Sequence, residues 1–299
     1  MRQTPLTVVL ALAVGAVWTA GAQATTLAEQ VVAMPMPEAG VHPRVLFTAD
    51  ELPKIRARAA TVNGQATVVG VQWECDQPGK ATLEGARAST ETKPEQLVDY
   101  AFKQALVWLA TEDAQRLQNA KDLLSAWAKQ HAQKPFYNRH AYQFALAYDW
   151  LYNELPEEVR DGMREHMAAQ MNENTLDGWE HLGYYMGPVA AGRPCDWGAI
   201  ESGGFAMMWM AIAGDDPRAS REFLGKIVDF MKYIADYGLS AEGQLLAGNG
   251  YAGGDFINYG YGVRALQQHG VMLVDHPNFR EFAIWLAHES IPGEYMFDN

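Results

Sequence analysis

Cysteine is almost absent from this chain, basic charge is scarce, and no apolar run is long enough to cross a bilayer. Only Cys75 and Cys195 occur in 299 residues. Two cysteines 120 positions apart show none of the close spacing of a zinc clip, so no structural metal is expected. They are left either as a pair joined in an oxidising compartment or as two isolated thiols. Lys and Arg number 23 against 36 Asp and Glu, a formal charge of -13. A surface field of that sign repels phosphate backbones, and no basic tract offsets it, which excludes nucleic acid as a natural partner. An acidic polysaccharide would be repelled on average too, so binding one requires a local gathering of Arg, Lys and His. The longest apolar stretch, Leu6 to Trp18, falls short of the roughly 20 residues of a membrane-spanning helix.

What is present describes a globular chain. Apolar residues make up 48% and charged residues 20%, with 27 Gly and 14 Pro, enough to bury a sizeable core. The N-terminus reads as an export signal over residues 1–24: Arg2 opens it, Leu6 to Trp18 is its apolar centre, and Ala22-Gln23-Ala24 is a small-residue cleavage site. A mature chain beginning at Thr25 and a periplasmic or secreted location are therefore expected.

Residues 25–92 read as an irregular lead holding one capped helix. Thr48-Ala49-Asp50-Glu51 forms a capping box, in which hydroxyl and carboxylate each satisfy an orphan backbone donor, and its helix is expected to reach about Ala60. Thr61 to Thr92 is rich in Gly, Thr and Ala and reads as loop with one strand-like run, Val68-Val69-Gly70-Val71-Gln72-Trp73, that suits a short hairpin.

From Pro94 the pattern is helical. Leu97, Ala101, Ala105, Leu106 and Leu109 recur at helical spacing, followed by Leu117, Ala120, Leu124 and Trp127. Further helices are expected near 139–153, 156–171, 199–213, 216–237, 257–270 and 278–289, with Pro156 and Pro217 as starts and Gly214 and Gly238 as stops. About nine helices in all give an all-α fold of helical hairpins over 93–299, stacked or closed into a ring.

The loops between these helices carry the chemistry-bearing residues. One stretch, about 172–204, holds Trp179, His181, Tyr184, Tyr185, Arg193, Asp196, Trp197 and Glu201; another, 238–262, holds Tyr251, Asp255, Asn258, Tyr259 and Tyr261. Aromatic faces with amides and charges on Gly-rich loops suit a carbohydrate cleft. Lys129, His131, Lys134, Arg139 and His140 form the densest basic stretch; Arg139 and His140 either open a helix beside the cleft and meet an anionic chain by paired donors or belong to a solvated turn.

Several stretches together resemble the heparinase II/III-like polysaccharide lyases. They are His42-Pro43-Arg44-Val45-Leu46-Phe47, Ala145-Leu146-Ala147-Tyr148-Asp149-Trp150-Leu151-Tyr152 with Leu155-Pro156-Glu157-Glu158, Trp197-Gly198-Ala199-Ile200-Glu201-Ser202-Gly203-Gly204 with Ala211-Ile212-Ala213-Gly214-Asp215-Asp216-Pro217, and Gly253-Gly254-Asp255-Phe256-Ile257-Asn258-Tyr259-Gly260. The resemblance implies an incomplete (α/α) toroid followed by a C-terminal β-sandwich, the latter expected to be missing from this chain and the toroid truncated. It also implies cleavage of a uronic-acid polysaccharide by β-elimination, with no cofactor. In that reaction a neutraliser must quench the uronate carboxylate, a base must take the C5 proton, and an acid must protonate the leaving oxygen.

By the resemblance Tyr259 is the catalytic tyrosine and Tyr251 the next choice. Glu201, protonated, or His181 is the neutraliser, because Asp196 stands where relatives carry a neutral or basic side chain. Trp179, Tyr185, Trp197, Asn258, Arg139 and His140 are expected to bind substrate. Two other readings stay open: a glycoside hydrolase drawing a carboxyl pair from Asp149, Asp196, Glu201 and Asp255, and a carbohydrate-binding relative without catalysis. For Asp149, inside an apolar helical pattern, a structural hydrogen bond is the stronger expectation.

Overall fold

The computed structural model describes residues 25–77, 94–131, 140–170, 196–244 and 256–282. Among these residues every regular element is helical, as the period of the apolar residues predicts. The elements are α1 (Leu27–Ala33), a 3-10 turn (Ala49–Glu51), α2 (Leu52–Ala59), α3 (Val62–Cys75), α4 (Pro94–Thr111), α5 (Ala114–His131), α6 (Ala141–Leu151), α7 (Glu157–Gln170), α8 (Asp196–Ile212), α9 (Arg221–Tyr237), α10 (Phe256–Gln268) and a second 3-10 turn (Leu273–Asp275). None of the helices among the described residues is long and apolar enough to cross a membrane.

Two expectations for the lead are corrected. Residues 25–41 are not wholly irregular: Thr26 and Glu29 make a reciprocal capping box that opens α1. Val31 and Met34 then join the same core as the later helices. Residues 68–73 are helix rather than strand. Thr61 caps α3 by accepting from the Gly64 N–H, and the side chains turned inward, Val68, Val71, Gln72 and Cys75, follow a helical three-to-four spacing. Alternating valines around Gly70 imitate a strand only while that spacing is overlooked. The opposite side of α3 leaves Val62, Val69 and Trp73 exposed at 84%, 60% and 58%.

The expected boundaries hold closely elsewhere. Pro156 precedes α7, Gly238 caps α9, and Gly214 follows α8 with φ +85°. The start assigned to Pro217 moves to Ser220, whose hydroxyl accepts from the Phe223 N–H. Residues 277–282 are helical; the rest of the helix expected to 289 lies outside the described residues.

Helices α4, α6, α8 and α10 pack side by side in that order, while α5 lies against α4, α9 against α8, and α7 against α5, α6 and α8. The shared core includes the fully buried Trp127, Phe144, Tyr148, Trp209 and Tyr259. The tightest pairing is α8 with α10, and glycine explains it. A Cβ on Gly203 would lie 2.2 Å from the Asn258 carbonyl oxygen, and one on Gly262 would lie 2.7 Å from the Gly203 Cα. Those backbones meet at a distance only two facing glycines permit. Replacing Gly203 by Ala is expected to cost about 3 kcal/mol by overpacking against rigid backbone. The thermal midpoint should fall by roughly 5 to 10 °C; a midpoint within about 1 °C of wild type would contradict this packing.

Candidate functional site

The layer has two dissimilar ends. At one, the segment 42–45 crosses the C-terminal ends of α6, α8 and α10 and is bonded to each. His42 Nδ1 lies 2.7 Å from Asp149 Oδ1 and its Nε2 lies 3.0 Å from Asp215 Oδ2. The Asp149 carboxylate also accepts from the Arg44 N–H at 3.0 and 3.1 Å and from the Val45 N–H at 3.0 Å. The Arg44 guanidinium donates to the Met210 and Ala211 carbonyls, to the Glu38 carbonyl and, at 2.5 Å, to Asp215. A guanidinium against the last carbonyls of α8 satisfies orphan acceptors and offsets the negative helix end. His269, just past α10, contacts the Arg44 carbonyl at 2.9 Å through Nε2.

Every charged member of this cluster is buried, and Tyr152 stacks on His42 with ring centres 3.8 Å apart. A carboxylate with that many donors in a closed interior serves cohesion. The structural hydrogen bond expected of Asp149 is thus present, and its lone pairs are not available to a hydrolase pair. Burial raises the Asp215 carboxyl, but the hydrogen bonds from His42 and the Gly40 N–H together with the Arg44 charge outweigh it, and the group is held below the ordinary carboxylate value. Burial pushes His269 down despite its bond to the Arg44 carbonyl.

The other end gathers the sequence candidates that are described. His140 is the N-cap residue of α6, Glu201 lies half-buried in the second turn of α8, and Asn258 is buried in the first turn of α10. Gly203, two residues beyond Glu201, faces the backbone of Asn258 and Tyr259. Tyr142, beside His140, stacks on Tyr261 of α10 with ring centres 5.2 Å apart. Contacts at both ends mean that α6, α8 and α10 run in one direction. Their N-terminal ends, each with a partial positive charge, share one face in a chain of charge -13.

Tyr259 requires a correction. It was expected to be the catalytic tyrosine, yet its phenol is fully buried and donates to the Met231 carbonyl of α9 at 2.6 Å. Burial pushes its pKa far up, with Asp236 adding to the effect, the opposite of what a phenolate base needs. It follows Asn258 on the strand of residues quoted for the family, but helical phase turns it inward. His181, Tyr251, Trp179, Tyr185 and Arg139 lie outside the described residues, as do Asp255 and Cys195. Trp197 and Asp196 open α8. Cys75 is a buried free thiol whose pKa burial pushes up to about 11.

Sequence reasoning missed the Tyr142–Tyr261 stack and the partnership of His42 and Arg44 with Asp215. The second had a signal: a His-Pro-Arg run in the lead and buried acids at helix ends, each of which needs the other. No group of three or more His, Cys, Asp or Glu among the described residues could hold a metal ion. A scan against protein-family models finds none that matches the chain, and no curated protein is similar to it.

Two outcomes are expected from the buried cluster. Asp149→Ala strands the His42 and backbone donors and should cost about 3 to 5 kcal/mol, as for a buried ion pair deprived of one partner. Because Asp215 has a lower pKa folded than unfolded, the folded state binds fewer protons. Its stabilisation is full above the ordinary carboxylate pKa of about 4 and is lost as pH falls below it. Denaturant titrations should show a shallower acid loss in Asp215→Asn than in wild type; identical pH slopes would contradict this role.

Proposed function

We propose that the protein is an exported polysaccharide lyase that cleaves a uronic-acid-containing chain by β-elimination, its helices forming an incomplete (α/α) toroid. One observation carries this reading furthest: the N-terminal ends of α6, α8 and α10 share one face with His140, Glu201 and Asn258, while the opposite end is closed by the His42–Arg44 cluster. On a strongly acidic protein, that face is where an anionic substrate meets favourable local charge. The residue resemblances running from 42 to 262 support the same choice.

In this mechanism Tyr251 takes the role that Tyr259 cannot. Its phenolate removes the C5 proton of the uronate. The released electron pair forms the C4=C5 double bond, and the C4–O glycosidic bond breaks. The leaving oxygen takes a proton from the resulting phenol. Glu201, in its acid form, or His181 donates to the uronate carboxylate so that negative charge can build at C5. Arg139 and His140 meet neighbouring carboxylates, while Trp179, Tyr185 and Trp197 offer faces to sugar rings and Asn258 supports the site from the first turn of α10.

A second reading, glycan binding without cleavage, is favoured by one specific observation. The phenols of Tyr142, Tyr148, Tyr233, Tyr259 and Tyr261 are all pushed upward in pKa, chiefly by burial, so none of these five is prepared as a base. Incubation with alginate, heparin-type glycans, hyaluronan and pectic chains separates the readings. Lyase action produces ultraviolet absorbance from the conjugated double bond. Binding alone gives heat on titration but no absorbance, and shortened sugars without the chromophore indicate a hydrolase. Tyr251→Phe is expected to lower kcat by about 10²- to 10⁴-fold, whereas Tyr259→Phe should leave kcat within about twofold and cost about 1 kcal/mol of stability. The reverse ranking would overturn this assignment.

A further inference from the structure

One helix at the edge of the layer keeps an apolar face turned to solvent. Helix α3 packs on α4 and α2, and its inward side chains Val71 and Cys75 meet Val107 and Tyr100 of α4. On its other side Val62, Ala66, Val69 and Trp73 are all exposed. Their spacing of four, three and four residues is that of the a and d positions with which one helix packs on another. At about 100° per residue the four fall within roughly 60° of one another. Gly70 beside them is open too, with nothing within 4 Å of where a Cβ would lie.

An apolar face of this kind on a protein surface marks a contact, and charge points to its partner. From Val62 to Trp73 no side chain is ionisable, in a chain of net charge -13. Two copies therefore meet here without the like-charge repulsion that the rest of the surface imposes. The two ends of the face differ in sign. Before it lie Lys54 and Arg58 of α2, both exposed. After it lie Glu74 and Asp76, with side chains 44% and 59% exposed. Lys103 and Arg116 pair with them, but Asp99 and Asp113 share the same two cations, so that end stays acidic. An antiparallel pair of α3 helices sets basic end against acidic end at both extremities and opposes the helix dipoles. The same two-fold axis puts Trp73 opposite Val62 and Val69 opposite Ala66, a larger side chain against a smaller one at each level. Within the chain, residues 78–93 directly after α3 hold a single large apolar side chain, Leu83, too little to cover the face.

We propose that α3 is a self-association surface: two copies of this chain pair antiparallel across the face formed by Val62, Ala66, Val69 and Trp73. The inference does not depend on the proposed function. The seam runs for only about three helical turns and buries less than the roughly 1,600 Å² of a standard interface. The dimer is accordingly a weak one, with a Kd of about 10 to 100 µM.

Sedimentation equilibrium of the full chain from about 1 to 300 µM tests this, beside a chain starting at Thr25 so that association through the apolar residues 6–18 is told apart. Both are expected to rise from the mass of one copy toward that of two. Val69→Asp and Trp73→Gln alter exposed positions, so circular dichroism and thermal midpoints should match wild type, while association weakens at least about tenfold. Arg58→Glu should weaken it by about three- to tenfold, and adding Asp76→Lys to the same chain should restore it, because the antiparallel pair exchanges those two charges. A single-copy mass at every concentration overturns the proposal, as does association confined to the chain that retains residues 6–18. A dimer that Val69→Asp and Trp73→Gln leave intact places the contact elsewhere and overturns it as well. Failure of Asp76→Lys to restore Arg58→Glu overturns the antiparallel arrangement. A single-copy wild type that co-sediments with phosphatidylglycerol vesicles, and loses this in Trp73→Gln, would replace the second copy by a lipid surface. Should Val69→Asp fail to fold, Ala66→Glu and Trp73→Gln decide by the same criteria.

Discussion

The carboxylate of Asp149 is the point on which the architecture turns. It is buried within α6 and collects the His42 imidazole and the backbone N–H groups of Arg44 and Val45. His42 and Arg44 reach Asp215 and the last carbonyls of α8, and the Arg44 carbonyl meets His269 beyond α10. Four residues of the lead thereby tie three helix ends that are far apart in sequence. Such a cluster gains little net stability over a well-packed apolar equivalent, because two carboxylates, an imidazole and a guanidinium all lose water. Its value lies in direction: it fixes which ends of α6, α8 and α10 lie together.

Once the C-terminal ends are joined, the N-terminal ends are brought to one face as well. The glycine pair at 203 and 262 lets α8 and α10 approach closely there, and the Tyr142–Tyr261 stack draws α6 toward α10. Function, in the reading proposed above, follows from this asymmetry. One end is sealed by charge pairs, the other collects helix dipoles and polar side chains. In that reading, holding an acidic polymer on an acidic chain requires such a local reversal of its overall field.

Much of the helical organisation was legible because it depends on short-range chemistry. Apolar spacing located α4 to α10, and Pro156, Gly214 and Gly238 marked ends through fixed dihedrals or a missing side chain. Helix α3 mimics a strand because valines on either side of a glycine imitate its alternation, whereas α1 carries in Thr26 and Glu29 the same capping signature as Thr48 and Glu51. The site was less legible. Asp149 could be assigned a structural role from its apolar surroundings, but nothing local shows that its partners lie over a hundred residues upstream. Tyr259 failed for a related reason: residue type and motif position suggested chemistry, while helical phase, set by packing on α9, decides that its phenol points inward to Met231.

The central claim is that the face formed by the first turns of α6, α8 and α10 is where ligand is met, and that the His42–Arg44 end is purely cohesive. Hydrogen–deuterium exchange of the full chain with and without a bound uronate oligosaccharide tests it most directly. Slowed exchange at 141–145, 198–203 and 257–262, with segment 42–45 unchanged, is the predicted result. Protection centred on 42–45 and 210–216, with the first turns unaffected, would contradict it.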